Sequence, residues 1–207
     1  MRTHTSLLLI RHAEVEAKYQ RVFGGKIDMN LSPRGHEQAA ALTGWLKRQP
    51  LDAIYASPMK RVQQTLAPFA SIGGPEPVIV PDLHEVDFGD WTGLSWEAVQ
   101  EKFGVSAFQW LDLLERGAIP NAENTGRYRA RIEPCLQQVL SDSRHKNVAV
   151  FCHGGVIRML LAILLDLPLP KLAAFEIDYA SVTRVELAPH KTEVKFHNFT
   201  PWQEASL

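Results

Sequence analysis

Cysteine is scarce in this chain: the 207 residues hold two, Cys135 and Cys152. Two thiols in apolar surroundings make no disulfide framework and fit a reducing cytoplasm. Charge of one sign is lacking as well. Lys and Arg number 22 against 23 Asp and Glu, a formal net charge of -1. That balance gives no general affinity for nucleic acid or acidic membranes, so any positive charge that matters is local. No apolar run reaches membrane length. The longest, Val156 to Leu169, carries Arg158 and Asp166 and reads as a buried helix. Leu7 to Ile10 is too short for the core of a secretory signal and runs straight into Arg11-His12, so a cytoplasmic location is expected. The triplets Asn30-Leu31-Ser32 and Asn198-Phe199-Thr200 match the glycosylation pattern, taken as chance in a chain without an export signal. Linkers, repeats and low-complexity segments are missing, so one domain over residues 1–207 is expected. A chain of this length buries roughly 70% of its unfolded surface and needs no structural metal.

The apolar periodicity then gives an element order. Ser6 to Ile10 reads as a buried strand. Ser32-Pro33 reads as an N-cap with proline at the first helical position, opening a helix towards Gln49. Asp52 to Ala56 is a second strand, and Ser57-Pro58 repeats the cap-and-proline device before a helix through Phe69. Val78 to Val80 and Asn147 to Cys152 are further strands, with a helix from Gly154. Ser181 to Leu187 and Glu193 to Phe199 alternate like strands. Strands alternating with helices predict an α/β fold: a three-layer sandwich, its mostly parallel central sheet flanked by helices. Between strands, residues of about 94–131 hold helical stretches rich in Trp and Phe, and form a helical cap insertion. For most of Trp96, Phe103, Phe108 and Trp110 the expected role is ordinary packing, while the insertion as a whole is expected to choose the leaving group.

Chemistry gathers at the strand ends. Arg11-His12 follows the first strand, Arg61 opens the helix after the second, Glu85 follows the third and His153-Gly154 closes the fourth. In a parallel sheet these carboxyl ends share one edge, where open α/β sheets bind ligands. Any one of these residues has a bland reading as solvated or structural; five at one edge suit phosphoryl transfer. A neutral His12 is a nitrogen nucleophile. Arg11, Arg61 and a protonated His153 would grip phosphoryl oxygens, and Gly154 would add the positive end of a helix. Glu85 would protonate the leaving alkoxide and then deprotonate water. This chemistry requires no metal and no cofactor, and the chain has no P-loop, His-Glu-x-x-His site or Gly-x-Ser-x-Gly elbow. His4, His36, His145, His190 and His197 show no metal-ligand spacing. Cys152 alternates onto the sheet face opposite a site residue, and is read as core.

These motifs resemble the histidine phosphatase superfamily in its phosphoglycerate-mutase-like branch, over nearly the whole chain. Leu9-Ile10-Arg11-His12-Ala13-Glu14 is similar to the family's Arg-His-Gly-Glu signature, and Gly25, Asp28, Leu31-Ser32 and Gly35 to the loop behind it. Ser57-Pro58-Met59-Lys60-Arg61 with Gln64-Thr65 matches the second-arginine motif, Glu85 with Phe88-Gly89 and Trp91-Thr92-Gly93 the acid motif, and His153 to Arg158 the second-histidine motif. The resemblance implies a covalent phosphohistidine mechanism and a sheet with one antiparallel edge strand. Three departures stand out. Ala13 replaces a usual Gly and would be strained if that position needs positive φ. Lys18 replaces an Asn that touches phosphate, and either supplies a charge there or faces solvent. Ala122-Glu123-Asn124 replaces a Gly-Glu-Ser loop, with Glu123 kept at the site edge. Gly25, Trp91 and Glu123 are the candidate substrate contacts. The expected activity is a metal-independent phosphatase for a small-molecule phosphate monoester. A cofactor-dependent phosphoglycerate mutase, a phosphatase for phosphohistidine on proteins and a non-catalytic phosphate-binding module are the alternatives. The sequence leaves the oligomeric state, including a dimer, open.

Overall fold

The computed structural model describes residues 4–144 and 146–204; His145 lies outside the described residues. Strand β1 (Thr5–Arg11) is buried along nearly its full length, because Leu7, Leu8, Leu9 and Ile10 have apolar neighbours on both faces. Helix α1 (Pro33–Leu46) follows a long loop and starts as the sequence predicts, the Ser32 hydroxyl accepting from the Gly35 amide at 2.9 Å. Strand β2 (Ala53–Ala56), helix α2 (Lys60–Ala70) and the short strand β3 (Pro77–Ile79) come next. The insertion holds α3 (Trp96–Phe103) and α4 (Trp110–Glu115), and leads into α5 (Thr125–Asp142). Strand β4 (Asn147–Cys152), helix α6 (Gly154–Leu164), the hairpin β5 (Val182–Ala188) and β6 (Lys191–Phe199), and the final turn α7 (Pro201–Glu204) complete the order.

The six strands form one sheet in the order β3-β2-β4-β1-β5-β6. Strands β1 to β4 are parallel, β5 runs antiparallel to β1, and β6 antiparallel to β5. The antiparallel strand is therefore one in from the edge. A two-residue turn joins β5 to β6, so β6 folds back beside β5 and takes the edge itself. Alternation along the strands sends side chains to two cores. Leu7 and Leu9 of β1 with Val148, Val150 and Cys152 of β4 face α5, α6 and the insertion. Leu8, Ile10, Ala149 and Phe151 face α1 and α2. Val99 of α3 and Leu111 and Leu114 of α4 belong to the first core, so the insertion packs on the same apolar centre as the sheet. Among the described residues no helix is long and apolar enough to cross a membrane.

Two boundaries differ from the sequence reading. The span from Ser106 to Leu114 splits into a 3-10 turn (Ala107–Gln109) and α4. Ser57-Pro58 is not a cap: α2 begins at Lys60, and Met59 precedes it without a capping side chain. The end of α2 is covered from elsewhere, by Asp28 accepting from the Lys60 amide at 2.9 Å. A carboxylate there also complements the helix dipole.

Candidate active site

Register is the first determinant of the site. Arg11 of β1 pairs with Cys152 of β4, so the residues that follow, His12 and His153, leave the sheet side by side. The His12 amide still donates to the Cys152 carbonyl at 3.0 Å, and the two rings meet edge-on with centroids 5.3 Å apart. The next parallel strand delivers Ser57, whose amide donates to the Phe151 carbonyl, and α2 then turns Arg61 back over the same edge.

His12 has a defined tautomer. Its Nδ1 lies 2.9 Å from the Ala13 carbonyl oxygen, which only accepts, so Nδ1 carries the proton. Arg61 Nε donates to Nε2 at 3.2 Å, so Nε2 holds the lone pair. Burial, reinforced by the charges of Arg61 and Arg11, holds this ring well below the ordinary histidine pKa, and it stays neutral. Arg61 is itself only 2% exposed and fully braced. Its Nη1 donates to Ile27 O at 2.8 Å and its Nη2 to Gly25 O at 3.1 Å. Gly25 can offer that carbonyl because it sits at φ +47°. Arg11 donates through Nη1 to Ile177 O at 2.6 Å, stacks 4.0 Å over the Tyr179 ring, and keeps a buried Nε without a partner.

His153 departs from the sequence reading, which has it protonated. Burial, then the charge of Arg61 and with it that of Arg11, press its pKa well below the ordinary value. The ring is neutral, with Nε2 2.9 Å from the Ser57 hydroxyl and a buried Nδ1 that has no partner. The Ser57 hydroxyl accepts from the Met59 amide and keeps a hydrogen for Nε2; in the tautomer that uses it, Nδ1 is an N–H donor. Glu85 hangs between two backbone amides, accepting from Val86 at 2.9 Å and from Gly155 at 3.2 Å. Gly155 leaves no room for a side chain, since a Cβ would collide with Glu85 Oε1. Arg11, His12, Arg61, Glu85 and Gly155 line the floor of a cavity of about 510 Å³, with His153 buried behind His12.

The histidine phosphatase superfamily (branch 1) matches residues 7–200. The chain belongs to that superfamily. It is 29% identical over 194 residues to phosphoserine phosphatase 1 of Hydrogenobacter thermophilus, covering 94% of this chain and 92% of that one. It is 25% identical over 181 residues to the adenosylcobalamin/alpha-ribazole phosphatase of Escherichia coli, covering 87% and 89%. The crystal structure of the alpha-ribazole phosphatase from Shigella flexneri superposes with a TM-score of 0.80 at 25% identity, over 93% of this chain and 96% of that one.

In this superfamily member the fold gathers Arg11, His12, Arg61, Glu85, Gly154 and Gly25 around one cavity, and sets His153 against His12. Three expected residues stand apart. Lys18 lies on an exposed 3-10 turn, 3.7 Å from Glu16, and faces solvent. Trp91 is 1% exposed and packs on Phe23 and Phe103 in the core. Glu123 is held by Arg131 at 2.8 and 2.9 Å and receives the Asp87 amide, so it braces the loop behind Glu85 and does not line the cavity. Ala13 brings no strain, for it is not among the residues with positive φ; its amide donates to Thr65 Oγ1 at 2.9 Å.

Other residues went unread. The sequence reading has Ser57 as a helix cap within the second-arginine motif and Asn198 in the final strand and a glycosylation triplet, and gives neither a role at the site. The Asn198 side chain bonds both the amide and the carboxylate of Asp178, fixing the loop that carries Tyr179. Tyr128 buries an unpartnered hydroxyl beside Glu85. The aromatic wall is Trp96, Phe108 and Trp110, from the insertion that the sequence reading has choosing the leaving group.

Proposed function

We propose that the protein is a phosphatase that hydrolyses a small-molecule phosphate monoester through a phosphohistidine at His12. The observation that carries this reading is the neutral His12 whose Nε2 lone pair points to the cluster of Arg11, Arg61 and Glu85. An incoming phosphoryl group takes the place of the Arg61 Nε contact. Nε2 bonds to phosphorus as the phosphorus–oxygen bond to the alcohol breaks, and Glu85 gives that oxygen its proton. Arg11, Arg61 and His153 Nδ1–H hold the three phosphoryl oxygens through charge-assisted and neutral hydrogen bonds. A water then attacks phosphorus, Glu85 takes its proton, and the phosphorus–nitrogen bond breaks to free inorganic phosphate. The names of the relatives, phosphoserine and alpha-ribazole phosphatases, support the same reaction class. The whole chain is taken as one domain with the segment 94–131 as a cap, acting in the cytoplasm on a small phosphate ester.

The test is release of inorganic phosphate from a panel of phosphate monoesters, with a chelator present and His12→Ala alongside. Release is expected to survive chelation and to fall at least 1000-fold in the variant, the scale of losing a covalent nucleophile. Full activity in His12→Ala removes the mechanism. Transfer to a phosphoglycerate acceptor without net phosphate release makes the protein a mutase instead.

A further inference from the structure

The cavity is two-sided in its chemistry. Its floor holds the phosphoryl machinery, and its outer part is built from aromatic rings. Phe108 packs edge-on to Trp96 with centroids 5.0 Å apart, and Phe88 to Trp110 at 5.3 Å, with Leu111 beside them. Phe108 is 73% exposed, an unusual state for a large aromatic side chain. Lys18, Arg21 and Lys26 do not line the cavity; the three pair with Glu16, Glu97 and Asp87. Arg158 is the one lining cation, among the described residues, outside the phosphoryl floor, and three backbone carbonyls hold its guanidinium. Its Nε donates to Leu172 O, its Nη1 to Gly154 O and its Nη2 to Phe175 O. The remaining charges beyond the floor are negative, Glu176 and Asp178. A leaving group that carries a carboxylate meets one cation already engaged by backbone carbonyls, and two like charges.

We propose, resting on the phosphatase reading above, that the alcohol released is uncharged, apolar and ring-bearing, and that Phe108, Trp96 and Trp110 select it. Burying a ring against such a wall is favourable in proportion to apolar area, and aromatic pairs add to it. Phosphoserine and phosphoglycerates, which carry a carboxylate next to the ester, are disfavoured.

Four alkyl monoesters of similar intrinsic reactivity separate the cases: 2-phenylethyl phosphate, phosphoserine, 3-phosphoglycerate and phosphocholine. For the full-length protein, kcat/KM for 2-phenylethyl phosphate is expected to exceed each of the others at least tenfold. Phe108→Ala, a change at an exposed position, is expected to cut that ratio at least threefold. Equal or better turnover of phosphoserine or 3-phosphoglycerate overturns the proposal. Better turnover of phosphocholine overturns it too, and assigns the aromatic wall to a cation. Binding of the same esters to His12→Ala, followed by calorimetry, keeps ligand choice apart from chemistry. Tenfold tighter binding of 2-phenylethyl phosphate without turnover by the unaltered protein would uphold the proposal while the phosphatase reading fails. Binding without preference would overturn the proposal whatever the turnover.

Discussion

A carbonyl oxygen can only accept, so the contact between Ala13 O and His12 Nδ1 decides which nitrogen of His12 attacks. The same logic applies at Ser57, buried against His153 Nε2. Ser57→Ala strips that nitrogen of its partner. We expect about a tenfold loss in kcat and a stability loss of about 1–3 kcal/mol, the range for an orphaned buried polar group. Ser57→Thr should retain most of both, and urea melts with steady-state rates would show it. Arg11, His12 and His153 are legible because they close buried strands with clear apolar runs; Arg61 and Glu85 lie further on, in α2 and beyond the short β3, and are legible as members of the same set. Ser57 is not, because Ser-Pro before a helix has a local reading, capping, that competes with a partner 96 positions away. Trp91 and Trp96 show the opposite difficulty. Both are aromatic residues in the same stretch, and only the packing of the insertion sends one to the core and the other to the cavity wall.

Whole elements are positioned by contacts that local pattern does not contain. Helix α6 brings Gly155 against Glu85, and the missing Cβ is what lets the carboxylate reach the amide. Gly155→Ala should push the carboxylate aside and lower kcat about 100-fold, the scale of an ångström-sized misplacement, with KM changing far less; stopped assays at saturating substrate would read this. Arg131 on α5 performs the corresponding service for the loop before the insertion, donating to Glu123 and to the Asp82 and His84 carbonyls. Arg131→Met leaves Glu123 mostly buried and uncompensated. It should cost about 3–5 kcal/mol in chemical denaturation and lower kcat through Glu85. Helix and strand identity come readily from pattern, since α1 and α2 carry an apolar stripe and α6 is a long apolar run. The split around Ala107–Gln109 does not, because short aromatic-rich turns have no period to read.

At the scale of the molecule, two buried neutral histidines couple stability to pH. Both His12 and His153 have folded pKa values well below 6.5, whereas the unfolded chain protonates them near 6.5. Between those limits the unfolded state binds more protons, so stability rises with pH. It is complete above about pH 6.5 and falls on acidification by up to about 1.4 kcal/mol per pH unit for each ring. Melting curves at pH 7.5 and 5.5 should therefore separate, and removing one histidine should flatten the difference. The acid limb of kcat/KM should likewise lie below pH 6.5, since His12 keeps its lone pair there. The layered α/β architecture was legible from strand–helix alternation; the place of the antiparallel strand was not, because a hairpin pattern says which strands pair and not which one ends at the border.

Strand β1 is apolar on both faces, and this has a consequence for how the chain finds its frame. Sliding β1 by one position past β4 would still bury leucine on either side, so alternation does little to forbid the error. What forbids it is punctuation. Arg11 closes the run, and its guanidinium cannot be dragged between the layers without losing Ile177 and Tyr179. The residue placed for phosphate is thus also the full stop that tells β1 where to halt, and a chain that misreads it loses its frame and its chemistry together.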